Sequence, residues 1–110
     1  MKQKDIYLAN LNPTLGSEQK GIRPVVILSG NAMNDNLEVY IVCPLSSAIK
    51  GYSGCLFIKK DEINHLENDS EIISFQIRTI SKERLINKIG EITDNQLQEL
   101  KKNLFEVLTY

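Results

Sequence analysis

The run Pro24-Val25-Val26-Ile27-Leu28-Ser29 is continuously apolar up to its last residue, and β-branched side chains dominate it. Such a short apolar run, bounded by turn residues, is typical of a strand that is buried on both faces. Proline has no N–H to give to a strand ladder, so we expect Pro24 at the first position of this strand. The run therefore predicts a β-sheet with a buried interior.

Further strand patterns lie on both sides of this run. Apolar and β-branched residues predict strands at residues 5–9, 38–45, 55–59, 72–80 and 87–92. Pro44 is expected to end the second of these strands. The polar segments 14–21, 30–36 and 46–54 predict turns or loops. The first of them is longer than a hairpin turn needs, and long ordered loops tend to be functional.

The C-terminal segment changes to a helical period. Thr93 and Gln96 form a capping-box pattern at its start. Apolar side chains then recur on one helical face, at Leu97, Leu100, Leu104, Val107 and Leu108. The strands and this helix predict a mainly β (α+β) fold. We expect a small, strongly bent antiparallel sheet or partly open barrel with a C-terminal α-helix packed on it.

Length and composition predict a single domain over residues 1–110. No apolar stretch approaches the roughly 20 residues of a membrane helix, and the N-terminus lacks the pattern of a secretion signal. We therefore expect a cytoplasmic protein without membrane association. The formal net charge of −1 argues against an overall basic field. Any contact with nucleic acid should then come from a local patch and span few nucleotides.

Two arginines stand beside segments that otherwise predict core, namely Arg23 and Arg78. Charged side chains are rarely buried without a partner, and the planar guanidinium matches the oxygens of a phosphate. Hydroxyl groups that could join them are those of Ser46, Ser47 and Thr79. The pattern suggests a site for a phosphate-bearing substrate. The alternative is that each arginine pairs with a carboxylate for structural reasons.

RNA is a substrate on which such a set of residues could act without a metal. Cleavage needs a base for the 2′-hydroxyl proton, cationic donors for the charge that develops at phosphorus, and a donor for the leaving 5′-oxygen. Arg23 and Arg78 are candidates for the cationic donors. Ser46 or Ser47 is a candidate for the contact with a non-bridging oxygen. Glu18, in the first loop, is the nearest obvious carboxylate that could act as the base.

The cysteines and the histidine give weaker signals. Cys43 and Cys55 lie in predicted strands, and we expect both to be reduced and buried. His65 lies in a polar segment far in sequence from both arginines, and we expect a solvated surface side chain. With one histidine and no close cysteine pair, neither a metal site nor a cofactor is predicted.

The same residues carry a resemblance to a known family. Three segments resemble the MazF/PemK (Kid) family of bacterial toxins: Leu11-Asn12-Pro13-Thr14-x-Gly16-Ser17-Glu18-Gln19-x-Gly21-x-Arg23-Pro24, Pro44-Leu45-Ser46-Ser47 and Gln76-Ile77-Arg78-Thr79-Ile80. The resemblance runs over nearly the whole chain and includes the terminal helix. It implies the small SH3-like barrel that this family shares with the CcdB toxin, in agreement with the strand pattern.

The resemblance also implies a function. It implies the toxin of a type II toxin–antitoxin system, a homodimeric endoribonuclease that cuts single-stranded RNA at short sequences. Such enzymes work without a metal and leave 2′,3′-cyclic phosphate and 5′-hydroxyl ends. The implied protein partner is a MazE-like antitoxin whose flexible acidic tail covers the RNA site. Operator DNA would be contacted only through that antitoxin.

Site residues can be carried over one by one. The catalytic positions implied by the resemblance fall on Arg23, Ser46, Arg78 and Glu18. Residues expected to contact the substrate are Ser47, Gln19, Gln76 and Thr79. Many relatives have threonine in place of Ser46, so the hydroxyl is kept. Many also have aspartate in place of Ser81, and this loss leaves the identity of the general base open.

Two other functions compete with the ribonuclease. The alternative is a non-catalytic toxin of the same fold that binds DNA gyrase, as CcdB does. A third possibility is a module that binds only its antitoxin and operator DNA. The loop arginine and the hydroxyl that follows Pro44 favour the ribonuclease, because a protein-binding poison would not need them.

Overall fold

The structure, a computed structural model, describes all residues from Met1 to Tyr110. Its seven strands are β1 (Asp5–Asn10), β2 (Ile22–Ile27), β3 (Val39–Ser46), β4 (Cys55–Ile58), β5 (Ser70–Ile73), β6 (Arg78–Ser81) and β7 (Leu85–Glu91). Its α-helices are α1 (Asn31–Asn36) and α2 (Asp94–Thr109), and short 3-10 helices cover Ser74–Gln76 and Lys82–Arg84.

The strands form one antiparallel sheet. Their order is β4-β5-β3-β2-β1-β7, and β6 pairs with β3 outside this path. The end strands β4 and β7 do not pair with each other, so the sheet is not closed into a full barrel. This arrangement confirms the predicted mainly β fold with a C-terminal helix.

The sheet is organised around β3. On one side, β2 pairs with residues 42–44 of β3. On the other side, β6 pairs with residues 39–42 and β5 with residues 45–46. Pro44 lies between these last two pairings, where a missing N–H need not break a ladder. The prediction that Pro44 ends the strand is therefore wrong, since β3 continues to Ser46.

Pro24 is also placed differently from the prediction. It is the third residue of β2 and lies opposite Leu8 of β1. The pairing of β2 with β3 begins only at Val25, so Pro24 has a partner strand on one side alone. Proline is tolerated at such an edge position. The same gap leaves the neighbouring Arg23 without a β3 residue beside it.

The predicted strand 72–80 is in fact two strands, β5 and β6, with the 3-10 helix Ser74–Gln76 between them. The Ser74 hydroxyl donates to the carbonyl of Gly54, and the N–H of Ile77 donates to the carbonyl of Ser74. This turn carries the chain from its pairing with one end of β3 to its pairing with the other.

The predicted turn or loop at residues 30–36 contains the short helix α1. The Asn34 side chain is buried, accepts a hydrogen bond from the Ser29 hydroxyl and donates one to the Ser29 carbonyl. These local polar contacts hold the helix in place. The segment lacks the periodic apolar residues by which a helix is usually recognised in a sequence.

The core consists of two apolar clusters, and β2 contributes to both. Val26 belongs to the larger cluster of 11 buried residues, which also includes Leu97 and Leu100 of α2. Val25 and Ile27 belong to the second cluster of 7 buried residues. Successive side chains of a strand point to opposite faces, so β2 is buried on both faces, as its sequence predicts.

Helix α2 begins at the predicted capping box. The N–H of Gln96 donates to Thr93 Oγ1 over 3.1 Å, and the N–H of Thr93 donates to Gln96 Oε1 over 2.9 Å. The first half of the apolar face is buried, whereas Leu108 is 81% exposed. Neither helix has the length and apolar character needed to span a membrane.

Candidate active site

Arg23 is half-buried on β2, opposite Ala9 of β1. Its Nε donates to the carbonyl of Lys20 over 2.7 Å, and this contact fixes the direction of the side chain. The ion pairs of the structure involve Lys4 and Lys88, and none involves an arginine. The structural alternative, a pairing with a carboxylate, therefore does not apply to Arg23. Its terminal amino groups remain available for an anionic ligand.

Two cavities meet at Arg23. The first, which we call the histidine cleft, has a volume of about 370 Å³ and contains Arg23, Ser47 and His65 in its wall. The second, which we call the carboxylate pocket, has a volume of about 390 Å³. It is lined by Arg23, Ser46, Gln19, Gln76, Glu71, Tyr52 and Phe75, among others. Arg23 thus shares one cavity with the predicted catalytic residue Ser46 and the other with the predicted binding residue Ser47.

The two serines differ in exposure. Ser46 is the last residue of β3 and is buried, and its Oγ accepts a hydrogen bond from the N–H of Ala48 over 3.1 Å. A hydroxyl that accepts from a backbone N–H keeps its own proton free for donation. Ser47 is exposed, and it faces the histidine cleft.

Arg78 lies outside both cavities that contain Arg23. It lines a third hollow of about 450 Å³ together with Ser17, Glu18 and Gln76. Its Nη1 donates to the carbonyl of Leu11 over a long 3.5 Å, and no carboxylate lies within 4.0 Å of it. Ser17 and Gln76 line both this hollow and the carboxylate pocket, so the two arginines occupy adjoining cavities.

Gln76 holds the long loop between β1 and β2 in place. Its Oε1 accepts from the N–H of Gln19 over 2.9 Å, and its Nε2 donates to the carbonyl of Ser17 over 3.0 Å. Both ends of the amide are thereby engaged with the loop. Gln76, which was predicted to contact substrate, thus orients Gln19. The side-chain Oε1 of Gln19 is buried without a hydrogen-bond partner.

Glu18 and Thr79 are both exposed. A carboxylate oxygen of Glu18 accepts from the N–H of Leu15, so the side chain closes its own turn within the loop. Thr79 lies on β6 opposite Ile41 and lines none of the three cavities. Of the eight predicted site residues, Thr79 is therefore the one that the structure does not bring to the site.

Glu71 also lines this site, although its place there was not predicted from the sequence. It lies on β5 opposite Ser46, is 4% exposed and lines the carboxylate pocket. Its two carboxylate oxygens accept from the N–H groups of Lys50 and Gly51, each over 3.2 Å. One feature of the sequence could have indicated a buried carboxylate: Glu71 stands directly before the apolar pair Ile72-Ile73, within a segment that forms a strand.

His65 has an exposed side chain, which confirms the prediction, and it lines the cleft that contains Arg23 and Ser47. Its backbone has a φ of 55°. Histidine is among the residues that adopt this left-handed conformation more readily than most.

The two cysteines are free thiols. Cys43 is buried as expected, and burial raises its pKa to about 12. Cys55 is only partly buried, contrary to the expectation. Its pKa is raised to about 11 by burial and by the charge and hydrogen bond of Glu71. Both groups are therefore protonated at neutral pH and are poor nucleophiles.

Comparison with known proteins identifies relatives along nearly the whole chain. The model of the family described as "PemK-like, MazF-like toxin of type II toxin-antitoxin system" matches residues 2–108. A protein named Endoribonuclease MazF, from Staphylococcus saprophyticus, is 36% identical over 101 residues, which cover 91% of this chain and 84% of that protein.

Solved structures share the fold at lower identity. MazF from Deinococcus radiodurans superposes with a TM-score of 0.87 at 24% identity, covering 100% of this chain and 97% of that one. The Mycobacterium tuberculosis toxin MazF-mt6 gives a TM-score of 0.81 at 21% identity, covering 96% of each chain. Because the family model spans almost all of the sequence, this chain belongs to the PemK-like, MazF-like toxins of type II toxin–antitoxin systems.

Proposed function

We propose that this protein is an endoribonuclease that cleaves single-stranded RNA at short sequences and acts as the toxin of a type II toxin–antitoxin pair. The observation that carries the proposal is the Arg23 guanidinium, which has no carboxylate partner and lines one cavity with Ser46 and another with Ser47. Membership of the toxin family and the name of the Staphylococcus saprophyticus relative support it.

The proposed reaction is an internal transfer at phosphorus. The 2′-oxygen of the RNA attacks the neighbouring phosphorus and loses its proton to a base, while the bond to the 5′-oxygen breaks. The leaving oxygen takes up a proton, so the products are a 2′,3′-cyclic phosphate and a 5′-hydroxyl. We assign Arg23 to the charge that develops on the non-bridging oxygens, because a fixed cationic donor is most effective there.

The other roles follow from position. Ser46 donates its hydroxyl proton to a non-bridging oxygen, since its Oγ acts only as an acceptor in its bond with Ala48 and the proton is free. Arg78 and Glu18 share the adjoining hollow, and we assign Arg78 to a neighbouring phosphate or the leaving oxygen and Glu18 to proton transfer. Ser47, Gln19 and Gln76 border the path of the RNA.

The proposed partners are an antitoxin and a second copy of the chain. A solved structure of MazE with MazF from Deinococcus radiodurans matches this chain with a TM-score of 0.77 and 18% identity, over 100% of this chain and 97% of that one. We propose an analogous MazE-like partner, whose acidic tail would occupy the cationic donors that RNA uses. Binding to operator DNA would pass through that antitoxin, and the place of action would be the cytoplasm.

The gyrase-binding alternative is less well supported. A poison that binds a protein surface does not require a guanidinium that is directed by a backbone carbonyl into a cavity beside a buried hydroxyl. The family match also favours the ribonuclease.

Incubation of the purified protein with a long single-stranded RNA in EDTA tests the proposal. We expect cuts at a small set of sequences, with cyclic phosphate and 5′-hydroxyl ends found by mass spectrometry. RNA that stays intact at all protein concentrations, with or without added divalent metal, would contradict the ribonuclease. Cleavage only with added metal would contradict the proposed metal-independent chemistry.

A further inference from the structure

The carboxylate pocket contains a buried charge with incomplete compensation. Glu71 is 4% exposed, and no lysine or arginine lies within 4.0 Å of its carboxylate. Its donors are the N–H groups of Lys50 and Gly51, each at 3.2 Å, and the weakly donating thiol of Cys55, whereas bonds to a charged oxygen are usually about 2.7–2.9 Å. Burial of a carboxylate is costly unless donors satisfy it. Glu71 therefore has unused capacity for a donor.

The other residues of the pocket wall suggest which kind of ligand would supply that hydrogen-bond donor. Gln19 adds a second acceptor oxygen that has no partner. Tyr52 and Phe75 are both more than two-fifths exposed, and their ring centroids lie 6.4 Å apart at an interplanar angle of 48°. Exposed aromatic rings next to a nucleic-acid backbone site commonly stack on bases. The pocket thus combines surfaces for stacking with acceptors, and Arg23 and Lys50 also line its wall.

Glu71 itself does not suit a phosphate, because a buried carboxylate would repel it, and the phosphate is assigned to Arg23 and Ser46 in the same pocket. A nucleobase with an exocyclic amino group does suit it, since adenine, cytosine and guanine each present N–H donors along the edge that a carboxylate contacts. Uracil has no exocyclic amino group and carries a carbonyl oxygen where cytosine carries its amino group, so at this position it would set an acceptor against an acceptor.

We infer that the carboxylate pocket is a base subsite that selects an amino-bearing base over uracil, with Glu71 as its specificity-determining residue. This inference rests on the proposed RNA-binding function and adds the class of base that lies next to the Arg23 phosphate. The carboxylate accepts from the amino group of the base, and the base lies against Tyr52 or Phe75. The backbone N–H groups of Lys50 and Gly51 hold the carboxylate in position.

Binding of oligonucleotides that cannot be cut tests the inference separately from cleavage. We would measure the dissociation constants of fluorescent seven-nucleotide deoxyoligomers that contain only adenine, only cytosine or only uracil. Because they lack the 2′-hydroxyl nucleophile, the measurement does not depend on nuclease activity. We expect the adenine and cytosine oligomers to bind at least about tenfold more tightly than the uracil oligomer, as befits one base-edge contact.

Glu71→Gln is the test variant, because the amide keeps the shape and removes the charge. The ratio between the adenine and uracil oligomers should fall to within about threefold in E71Q. Glu99→Gln, an exposed residue of α2, removes the same charge elsewhere and should leave the ratio at its wild-type value. A loop-holding role for Glu71 would weaken all oligomers equally without changing the ratio, and this result would overturn the inference.

A ligand variant covers the case in which E71Q fails to fold. An oligomer of purine deoxyriboside has the ring of adenine without its amino group, so it should bind the unaltered protein about as weakly as the uracil oligomer. Equal binding of the purine and adenine oligomers would overturn the inference. If the unaltered protein shows the base preference but does not cleave RNA, the proposed function is contradicted and the inference stands.

Discussion

The surroundings of Ser46 suit the role proposed for its hydroxyl at a phosphate. Ser46 lies at the end of a buried strand, and the N–H of Ala48 occupies a lone pair of its Oγ. This bond leaves the hydroxyl proton free to be donated outward. Arg23 lines the same pocket, so a cationic and a neutral donor face one space. This combination suits an oxygen that gains negative charge during the reaction.

Replacement of Ser46 separates the hydroxyl from the fold. We expect Ser46→Ala to slow single-turnover RNA cleavage by about a hundredfold, the usual cost of a lost charge-stabilising donor. Ser46→Thr keeps the hydroxyl and should stay within severalfold of the wild-type rate. Equal rates for S46A and the unaltered protein would show that the hydroxyl has no part in the chemistry.

Among the elements, the loop between β1 and β2 depends on contacts from outside itself. Gln76, in the 3-10 helix Ser74–Gln76, binds the loop at Ser17 and Gln19. Arg84, in the second 3-10 helix, donates to the carbonyls of Asn10 and Asn12 at the start of the loop. The two short helices thus hold the loop that carries Glu18 and leads to Arg23.

Gln76→Ala should loosen this loop and leave the sheet intact. We expect trypsin to cut after the exposed Lys20 several times faster in Q76A, because the loop loses two hydrogen bonds to the 3-10 helix. Mass spectrometry of the fragments measures this rate. Cutting after Lys102, in helix α2, serves as the internal control and should not change. An unchanged rate at Lys20 would show that the loop is held by other contacts.

The start of helix α2 gives a test of stability at the same scale. Thr93→Ala removes the side-chain half of the capping box and should lower the free energy of unfolding by about 1 kcal/mol. Urea denaturation followed by circular dichroism measures the change. Thr109→Ala removes an exposed hydroxyl at the other end of the helix and should change stability by less than about 0.5 kcal/mol. Equal losses in the two variants would contradict the assigned cap.

For the whole molecule, the net charge of −1 limits how RNA is held. The protein has no general basic field, and the arginines at the site are few and local. The affinity for single strands falls with salt in proportion to the number of phosphates neutralised, with a slope near −0.7 per contact. Contacts from Arg23 and Arg78 alone would give a slope of about −1.4.

We therefore expect a shallow salt dependence for RNA binding, with a logarithmic slope between about −1 and −3 for each RNA site. Titration of a fluorescent RNA with a 2′-blocked backbone at several salt concentrations measures it. A variant without the Arg78 charge, Arg78→Gln, should reduce the slope by about 0.7. A slope steeper than about −5 would indicate a wide basic surface and contradict a local site.

The sequence predicts the scaffold better than the site. The buried run around Val26 and the capping box at Thr93 follow from local patterns, and the structure confirms both. The break at Ser74 does not follow from the local pattern, because it depends on two separate pairings with β3 and on a hydrogen bond to Gly54. The place of Glu71 in the pocket does not follow from the local pattern either, since its partners Lys50 and Gly51 are distant in the chain.

The catalytic assignment depends most directly on Arg23, and one rate measurement tests it. In single-turnover cleavage of a mapped RNA in EDTA, we expect Arg23→Ala to lose at least a hundredfold in rate with an unchanged unfolding temperature. Lys101→Ala, which removes an exposed positive charge from helix α2, should cleave at the wild-type rate. Cleavage by R23A at the wild-type rate would contradict the assignment of this guanidinium to the scissile phosphate.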